Sequence, residues 1–354
     1  MRPSFFHHLH PPTIPADQAR WRFTLGAGGL SLFLAAVLLV TGLLLMFYYV
    51  PTPEEAALSV QTLTFLVPYG GLVRHLHYWA AQFLVITAVI HLGRVLLTGA
   101  YARPRRFNYL LGLGLLILIL LLDFTGYVLR WDEGIRWALV VGTNLLKTIP
   151  PTNLGQAFYG LVIGGTEPGA ATLVRFYAWH IVGLFLPLLV LVGWHIFRVR
   201  RDGGIAAPPL EVADGILLGD ELRRRERIDR FELVRRETIA ALLAMAVLLV
   251  FATFLPAPIA PPIGTTDQQV AHAQAPWFFL WVQGLLHLGD PFWMGVLVPL
   301  GILVLIALIP YVLPQPPPEE QGRWLPRHGR LAQVVTVVML VFLIVFTLRG
   351  LLEK

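Results

Sequence analysis

Apolar runs long enough to cross a bilayer recur along this chain, separated by polar, charged or proline-rich stretches. They fall at about 22–49, 72–98, 107–130, 172–199, 237–255, 291–313 and 329–350. A hydrocarbon core of ~30 Å needs about 20 helical residues, so each run is sufficient. Lipid offers no partner to a backbone N–H or C=O, so a run this apolar must be helical. The predicted fold class is an all-α integral membrane protein with seven transmembrane helices, four in an N-terminal bundle and three after it. The long connection at 131–171 carries a further helical pattern at Gly134–Lys147 and a breaker at Pro150-Pro151. Pro256–Pro262 and Pro314–Glu320 read as loops. Between the fourth and fifth runs, Arg200–Arg236 mixes both charge signs at helical spacing and reads as a solvated linker. It divides the chain into 1–200, 201–236 and 237–354.

Loop charge then gives an orientation. The connections at 50–71 and 256–290 contain no Lys or Arg, whereas those with Arg103, Arg105 and Arg106, with the charged linker, and with Arg323, Arg327 and Arg330 are basic. Basic loops stay in the cytoplasm. The alternation therefore puts the N-terminus in the cytoplasm and the C-terminus outside the cell membrane. The 131–171 connection, with Arg136 and Lys147, is a partial exception. The opening MRPSFFHHLHPPTIPADQARWR lacks the apolar run of a cleavable signal, so the first span is expected to act as its own insertion signal.

Composition narrows the class further. With 56% apolar and 14% charged residues, the 354-residue chain has too few charges to cover a soluble domain. Its 27 basic against 21 acidic residues invite a nucleic-acid reading. The apolar spans assign that excess to cytoplasmic loops instead, and no nucleic-acid partner is expected. Cysteine is absent, which excludes disulfides, thiolate-held iron–sulfur clusters and any haem joined to this chain by a thioether.

The candidate chemistry lies in four histidines. His77 and His91 share the second span, 14 residues apart, close to four whole turns and about 21 Å. His180 and His195 share the fourth span, 15 residues apart, and their directions differ by about 60°. Antiparallel helices built this way present two facing imidazole pairs, His77 with His180 and His91 with His195. Facing neutral imidazoles are the axial ligands of a six-coordinate haem iron, so the pattern points to two stacked haems. Gly28 and Gly42 in the first span and Gly112 and Gly126 in the third repeat the 14-residue step, leaving room for macrocycles at two depths. Arg74, Arg94 and Arg175 stand near the histidines, where guanidinium groups pair with propionate carboxylates.

These residues resemble the cytochrome b family of the quinol-oxidising bc and b6f complexes. The resemblance is carried by TGLLLMFYYVPT, GGLVRHLHYWAAQFLVITAVIHLGRVLLTG, TGYVLRWD and TLVRFYAWHIVGLFLPLLVLVGWHIF. The His180-to-His195 spacing and the seven spans are similar to a b6-type cytochrome b fused to a subunit IV-like part. The resemblance implies two haem b groups, the lower-potential one held by His77 and His180 and the higher-potential one by His91 and His195. It implies quinol oxidation in an outer pocket formed by the 131–171 and 256–290 connections, and quinone reduction near the inner haem. In such a Q cycle one electron goes to an outer iron–sulfur partner and the other to the haems, with protons released outside. It also implies a Rieske-type iron–sulfur protein, a c-type cytochrome or equivalent acceptor, the quinone pool, and a homodimeric complex.

Two departures stand out. The family's Pro-Glu-Trp-Tyr motif appears as Ala275-Pro276-Trp277-Phe278, without the carboxylate credited with taking a quinol proton. Trp277 and Phe278 remain as pocket walls, and His272, Asp267 or His287 are the substitute bases in the same region. Gly26 stands where the b6f type carries its thioether cysteine. The tail histidines His7, His8 and His10 read as an interfacial tail that could add to proton supply at the inner quinone site, with metal binding as the alternative. Two other functions compete: a dihaem membrane anchor without bifurcation, and a secondary transporter relaying protons through its histidines.

Overall fold

The computed structural model describes residues 12–16, 24–206, 227–264 and 274–352. Seven helices in these residues are long and apolar enough to span a membrane. In chain order, α1 (Ala27–Met46) is followed by a short α2 (Ala56–Phe65), then by α3 (Gly70–Leu97) and α4 (Arg106–Val128). The long connection holds two helices, α5 (Glu133–Lys147) and α6 (Thr152–Ile163), the second beginning just after Pro150-Pro151. Then come α7 (Ala170–Arg201), α8 (Arg230–Phe254), the short α9 (Trp277–Leu286), α10 (Trp293–Val312) and α11 (Arg327–Leu352). α1, α3, α4, α7, α8, α10 and α11 are the spans. The strands β1 (Thr13–Pro15) and β2 (Arg227–Asp229) pair antiparallel, Ile14 opposite Ile228.

The spans agree with the hydropathic reading, while α2 and α6 lie in stretches it read as loop. α8 begins earlier than the expected position 237. Asp229 caps it by accepting from the Glu232 N–H at 2.7 Å, and Glu232 pairs with Arg235 and Arg236 at 2.8 and 2.7 Å. The charges read as linker are therefore partly the first turns of the helix, held by a cap and by i,i+3 and i,i+4 pairs.

α1 packs along α3 and α4 along α7, and the two pairs close on a buried layer of Leu34, Val37, Ala80, Leu84, Val85, Leu115, Ile119 and Leu188. Leu84 is midway between His77 and His91, and Ile119 midway between Gly112 and Gly126. The layer thus separates two depths of the bundle. Away from it the helices show apolar surfaces, as at Leu243 and Val250 of α8 and Val337 and Val341 of α11, which suits contact with lipid tails. α9 is seated against α11 by two glycines: a Cβ on Gly284 would strike the Phe346 carbonyl, and one on Gly350 the Leu280 carbonyl.

α7 departs locally from α geometry. Trp179–Gly183 of α7 forms a π turn, with the Leu184 N–H bonded to the Trp179 carbonyl at 2.7 Å. A π turn absorbs one extra residue without advancing the helix face. The 15-residue step from His180 to His195 therefore matches the 14-residue step on α3, and the 60° offset expected from a uniform helix is taken up.

Candidate redox site

The bundle brings His77 of α3 to His180 of α7 with ring centres 6.3 Å apart and planes at 65°. His91 and His195 stand 6.3 Å apart at 80°. One metal ion between two imidazoles asks for a nitrogen–metal bond of about 2.0–2.1 Å on each side. Adding the reach from each ring centre to its nitrogen reproduces the observed separation. Both gaps therefore fit an iron with two axial imidazoles, at depths about 21 Å apart along α3.

Glycine makes these positions possible. A Cβ placed on Gly42 would lie 3.2 Å from Cε1 of His77, and one on Gly28 3.1 Å from Cε1 of His91. On α4, a Cβ on Gly126 would lie 2.7 Å from Cε1 of His180, and one on Gly112 3.3 Å from Cε1 of His195. Each histidine ring thus leans on the bare backbone of the neighbouring helix. Four separate contacts, on two helices and at two depths, give the 14-residue glycine step its physical meaning.

The second nitrogen of each ring divides the pairs. His77 Nδ1 lies 2.9 Å from Thr41 Oγ1, whose own hydroxyl donates to the Val37 carbonyl at 2.7 Å. His180 Nδ1 lies 3.1 Å from Thr125 Oγ1 and 3.1 Å from the Leu122 carbonyl. Each threonine immediately precedes a cradle glycine, and its hydroxyl accepts from Nδ1–H, leaving Nε2 for the gap. At the other depth the corresponding residues are Ala27 and Leu111, which have no hydroxyl. The buried Nδ1 of His195 addresses the Asn108 carbonyl without closing a hydrogen bond.

The arginines are anchored to backbone carbonyls. Arg74, buried, donates to the carbonyls of Ala257 and Pro258. Arg94, also buried, donates to the Ala206 carbonyl at 2.6 Å. Arg175 donates to the Gly160 and Leu161 carbonyls, satisfying the last turn of α6. A guanidinium carries five N–H donors, so such bonds leave Arg74 capacity for a carboxylate as well.

On the His77–His180 side, the two long connections meet. Asp132 bridges to Pro262 and accepts from the Ala260 N–H at 3.1 Å, the Glu133 N–H reaches the Pro261 carbonyl at 2.9 Å, and the Gly264 N–H reaches Glu133 at 2.6 Å. Arg130 holds Asp132 through a two-pronged pair, 2.7 Å at its shortest. Trp277 donates to Gln82 at 2.6 Å, Phe278 is buried, and the Phe279 ring lies 6.0 Å from that of Phe124 on α4. These aromatics line the junction of α4, α5 and α9. Of the other bases considered for it, His287 lies at the exposed end of α9, while His272 and Asp267 fall outside the described residues, as do His7, His8 and His10.

An all-helical membrane bundle with two stacked imidazole pairs cradled by glycines defines a class: transmembrane bundles able to hold a metal centre between facing imidazoles. The model of the family described as "Cytochrome b/b6/petB" matches residues 16–203, more than half of the chain, and the chain belongs to this cytochrome b family. Membership makes it a b-type haem protein. The cytochrome b6 of Heliomicrobium gestii is 37% identical over 194 residues, covering 55% of this chain and 88% of that protein. The menaquinol:cytochrome c reductase cytochrome b subunit of Geobacillus thermodenitrificans is 36% identical over 177 residues, covering 50% and 78%. A solved chain of a hyperthermophilic respiratory Complex III shares the fold, with a TM-score of 0.74 over 93% of this chain and 92% of that one at 21% identity. The fold likeness thus reaches through the three C-terminal helices, beyond the stretch that the family model matches.

Sequence reasoning missed Thr41, Thr125 and Asp123. The threonines had a signal in the repeated Thr-Gly doublet. Asp123 had one in being an acidic residue inside an otherwise apolar span.

Proposed function

We propose that this chain is the cytochrome b subunit of a quinol-oxidising complex of bc or b6f type, carrying electrons between two depths of the membrane. The observation that carries the proposal is the doubled cradle, with two imidazole gaps of 6.3 Å and a glycine against each ring. His77 and His180 would hold one haem b and His91 and His195 the second, beside Gly42 and Gly126 in the first case and Gly28 and Gly112 in the second. Bound haem supplies a one-electron redox centre at each depth. The chain's own part is to fix the imidazoles, exclude water with the Leu84–Ile119 layer, and set the basicity of each ligand. Arg74 and Arg94 are assigned to propionates, with Arg175 joining them beyond its role at the end of α6.

The junction lined by Trp277, Phe278 and Phe124 is assigned as the quinol pocket on the outer face, with the N-terminus cytoplasmic and the C-terminus outside. Residues 1–200 form the haem domain, 201–236 the joining segment and 237–354 the C-terminal domain. A Rieske-type iron–sulfur protein and a c-type cytochrome or equivalent are the partners this reading requires, in a homodimeric complex. The test is a reduced-minus-oxidised spectrum of the purified complex together with quinol oxidation and its block by outer-site inhibitors. Two b-type components and inhibitor-sensitive oxidation are expected, and a spectrum without haem b would overturn the assignment.

A second reading is favoured by Ala275-Pro276-Trp277-Phe278, which offers the pocket no carboxylate. In it, the chain is a dihaem anchor passing electrons between quinone and another oxidoreductase without splitting them. Oxidant-induced extra reduction of haem b with the inner site blocked separates the two: present for the first, absent for the second.

A further inference from the structure

Asp123 is the one acidic residue of α4, about 7–8 Å inside the outer end of that span. Its Oδ2 is closed off from solvent and has no hydrogen-bond partner. The residue as a whole is half-buried, and a carboxylate oxygen closed off without a partner inside a span is costly and marks a functional site by default. The neighbouring acids are all engaged: Asp132 by Arg130 and the Ala260 N–H, Glu133 by the Gly264 N–H and Arg136.

Its direction is informative. On a helix, successive residues turn by about 100°, so Asp123 points about 100° from Phe124 and about 60° from Gly126. Phe124 faces the aromatic junction, meeting Phe279 and Phe176 at 6.0 Å each. Gly126 faces His180. Asp123 therefore stands on the edge shared by the quinol pocket and the histidine cradle. Tyr127 and Arg130 follow on the same edge at i+4 and i+7, with Arg130 lying over the Tyr127 ring at 5.1 Å and gripping the buried Asp132 in the loop. From α3, Tyr78 and Arg74 face this edge, and Tyr78 lies in the electrostatic field of Asp123, Tyr127, Arg74 and Arg130.

We propose that Asp123 takes a proton from quinol in this pocket and releases it outward along the α4 edge. This inference rests on the quinol-oxidising reading above. In the step, a quinol O–H bond breaks, its electron pair stays on the quinol oxygen, and a new O–H bond forms at the Asp123 carboxylate. Tyr127, one turn further out, directs its O–H to the Gly134 carbonyl at 3.5 Å and lines the way outward without changing its own protonation. Arg130 is permanently charged and carries no proton; it holds Asp132 in place. General-base catalysis is worth about 10²–10⁴-fold, which sets the scale of the expected loss.

The experiment uses the assembled complex carrying Asp123→Asn, an isosteric change that retains the fold, with Asp123→Glu beside it. D123N is expected to lower kcat for quinol oxidation at least about 100-fold with little change in KM, while the haem b spectrum stays at wild-type intensity. D123E is expected to keep a large part of the rate with a displaced pH profile. Reduced-minus-oxidised infrared spectra supply a signal independent of turnover: a protonated-carboxyl band present in wild type, absent in D123N and shifted in D123E. A D123N complex with wild-type rate and pH profile, or with the carboxyl band intact, would overturn the role of Asp123. A wild-type complex that oxidises no quinol at all would instead overturn the reading beneath it.

Discussion

The His77–His180 and His91–His195 pairs are built to one plan and finished differently. Both have rings 6.3 Å apart and a glycine against each ring. At the first pair, Thr41 and Thr125 accept from the ring N–H groups; at the second, the equivalent residues are Ala27 and Leu111. An acceptor on the outlying nitrogen makes an imidazole a more basic ligand and favours the oxidised metal. With haem bound as proposed, the two sites would differ in redox preference through a hydroxyl beside the glycine, at the same ring separation. On the proposed assignment, that difference would place the lower potential at His77–His180.

The strongest way to break this comparison is to remove ligands one at a time. His77→Ala and His180→Ala should erase the same component of the haem b spectrum, and His91→Ala and His195→Ala the other one. If His77→Ala and His195→Ala shared a component, the pairing would be wrong. Glycine substitutions come next. Gly126→Ala puts a methyl 2.7 Å from His180 Cε1, whereas Gly112→Ala leaves 3.3 Å to His195. Overpacking costs about 1–3 kcal/mol, so Gly126→Ala should deplete its haem clearly and Gly112→Ala mildly, as measured by haem content per chain. The finest test concerns the hydroxyls. Thr41→Val should raise the potential of the His77–His180 haem by some 20–60 mV, the equivalent of one hydrogen bond of about 0.5–1.5 kcal/mol. The other haem should not move. Leu111→Thr should lower the His91–His195 potential by a similar or smaller amount in the same redox titration.

Much of this was legible before any coordinates. Spans, histidine pairing partners and glycine steps all follow from periodicity, because a membrane helix has few ways to satisfy its backbone and its repeat is regular. What escaped depends on departures from that regularity or on contacts remote in sequence. The π turn at Trp179–Gly183 has no marker in WHIVG, and a uniform helix left His180 and His195 out of line. α2 and α6 were hidden because short surface helices compete with loop composition at Pro51, Pro53 and Pro150-Pro151. Arg74 and Arg175 were readable as cations near the histidines, yet their carbonyl partners at Ala257 and Gly160 come from other segments. Asp123 was visible as an acid in a span, and only the fold shows that it shares an edge with Phe124 and Gly126.

The wide turn in α7 also changes what an insertion or deletion means for this protein. In a regular helix, losing one residue swings everything beyond it by about 100°. Deleting Ile86 from α3 would therefore turn His77 away from His180. Deleting Ile181 from α7 removes the residue that the π turn already accommodates, and the wide turn can relax into an ordinary one with His180 and His195 still aligned. The first deletion should abolish a haem signal and the second preserve both. On α7, what is held constant between the two ligands is a count of turns, while the count of residues is free to change by one.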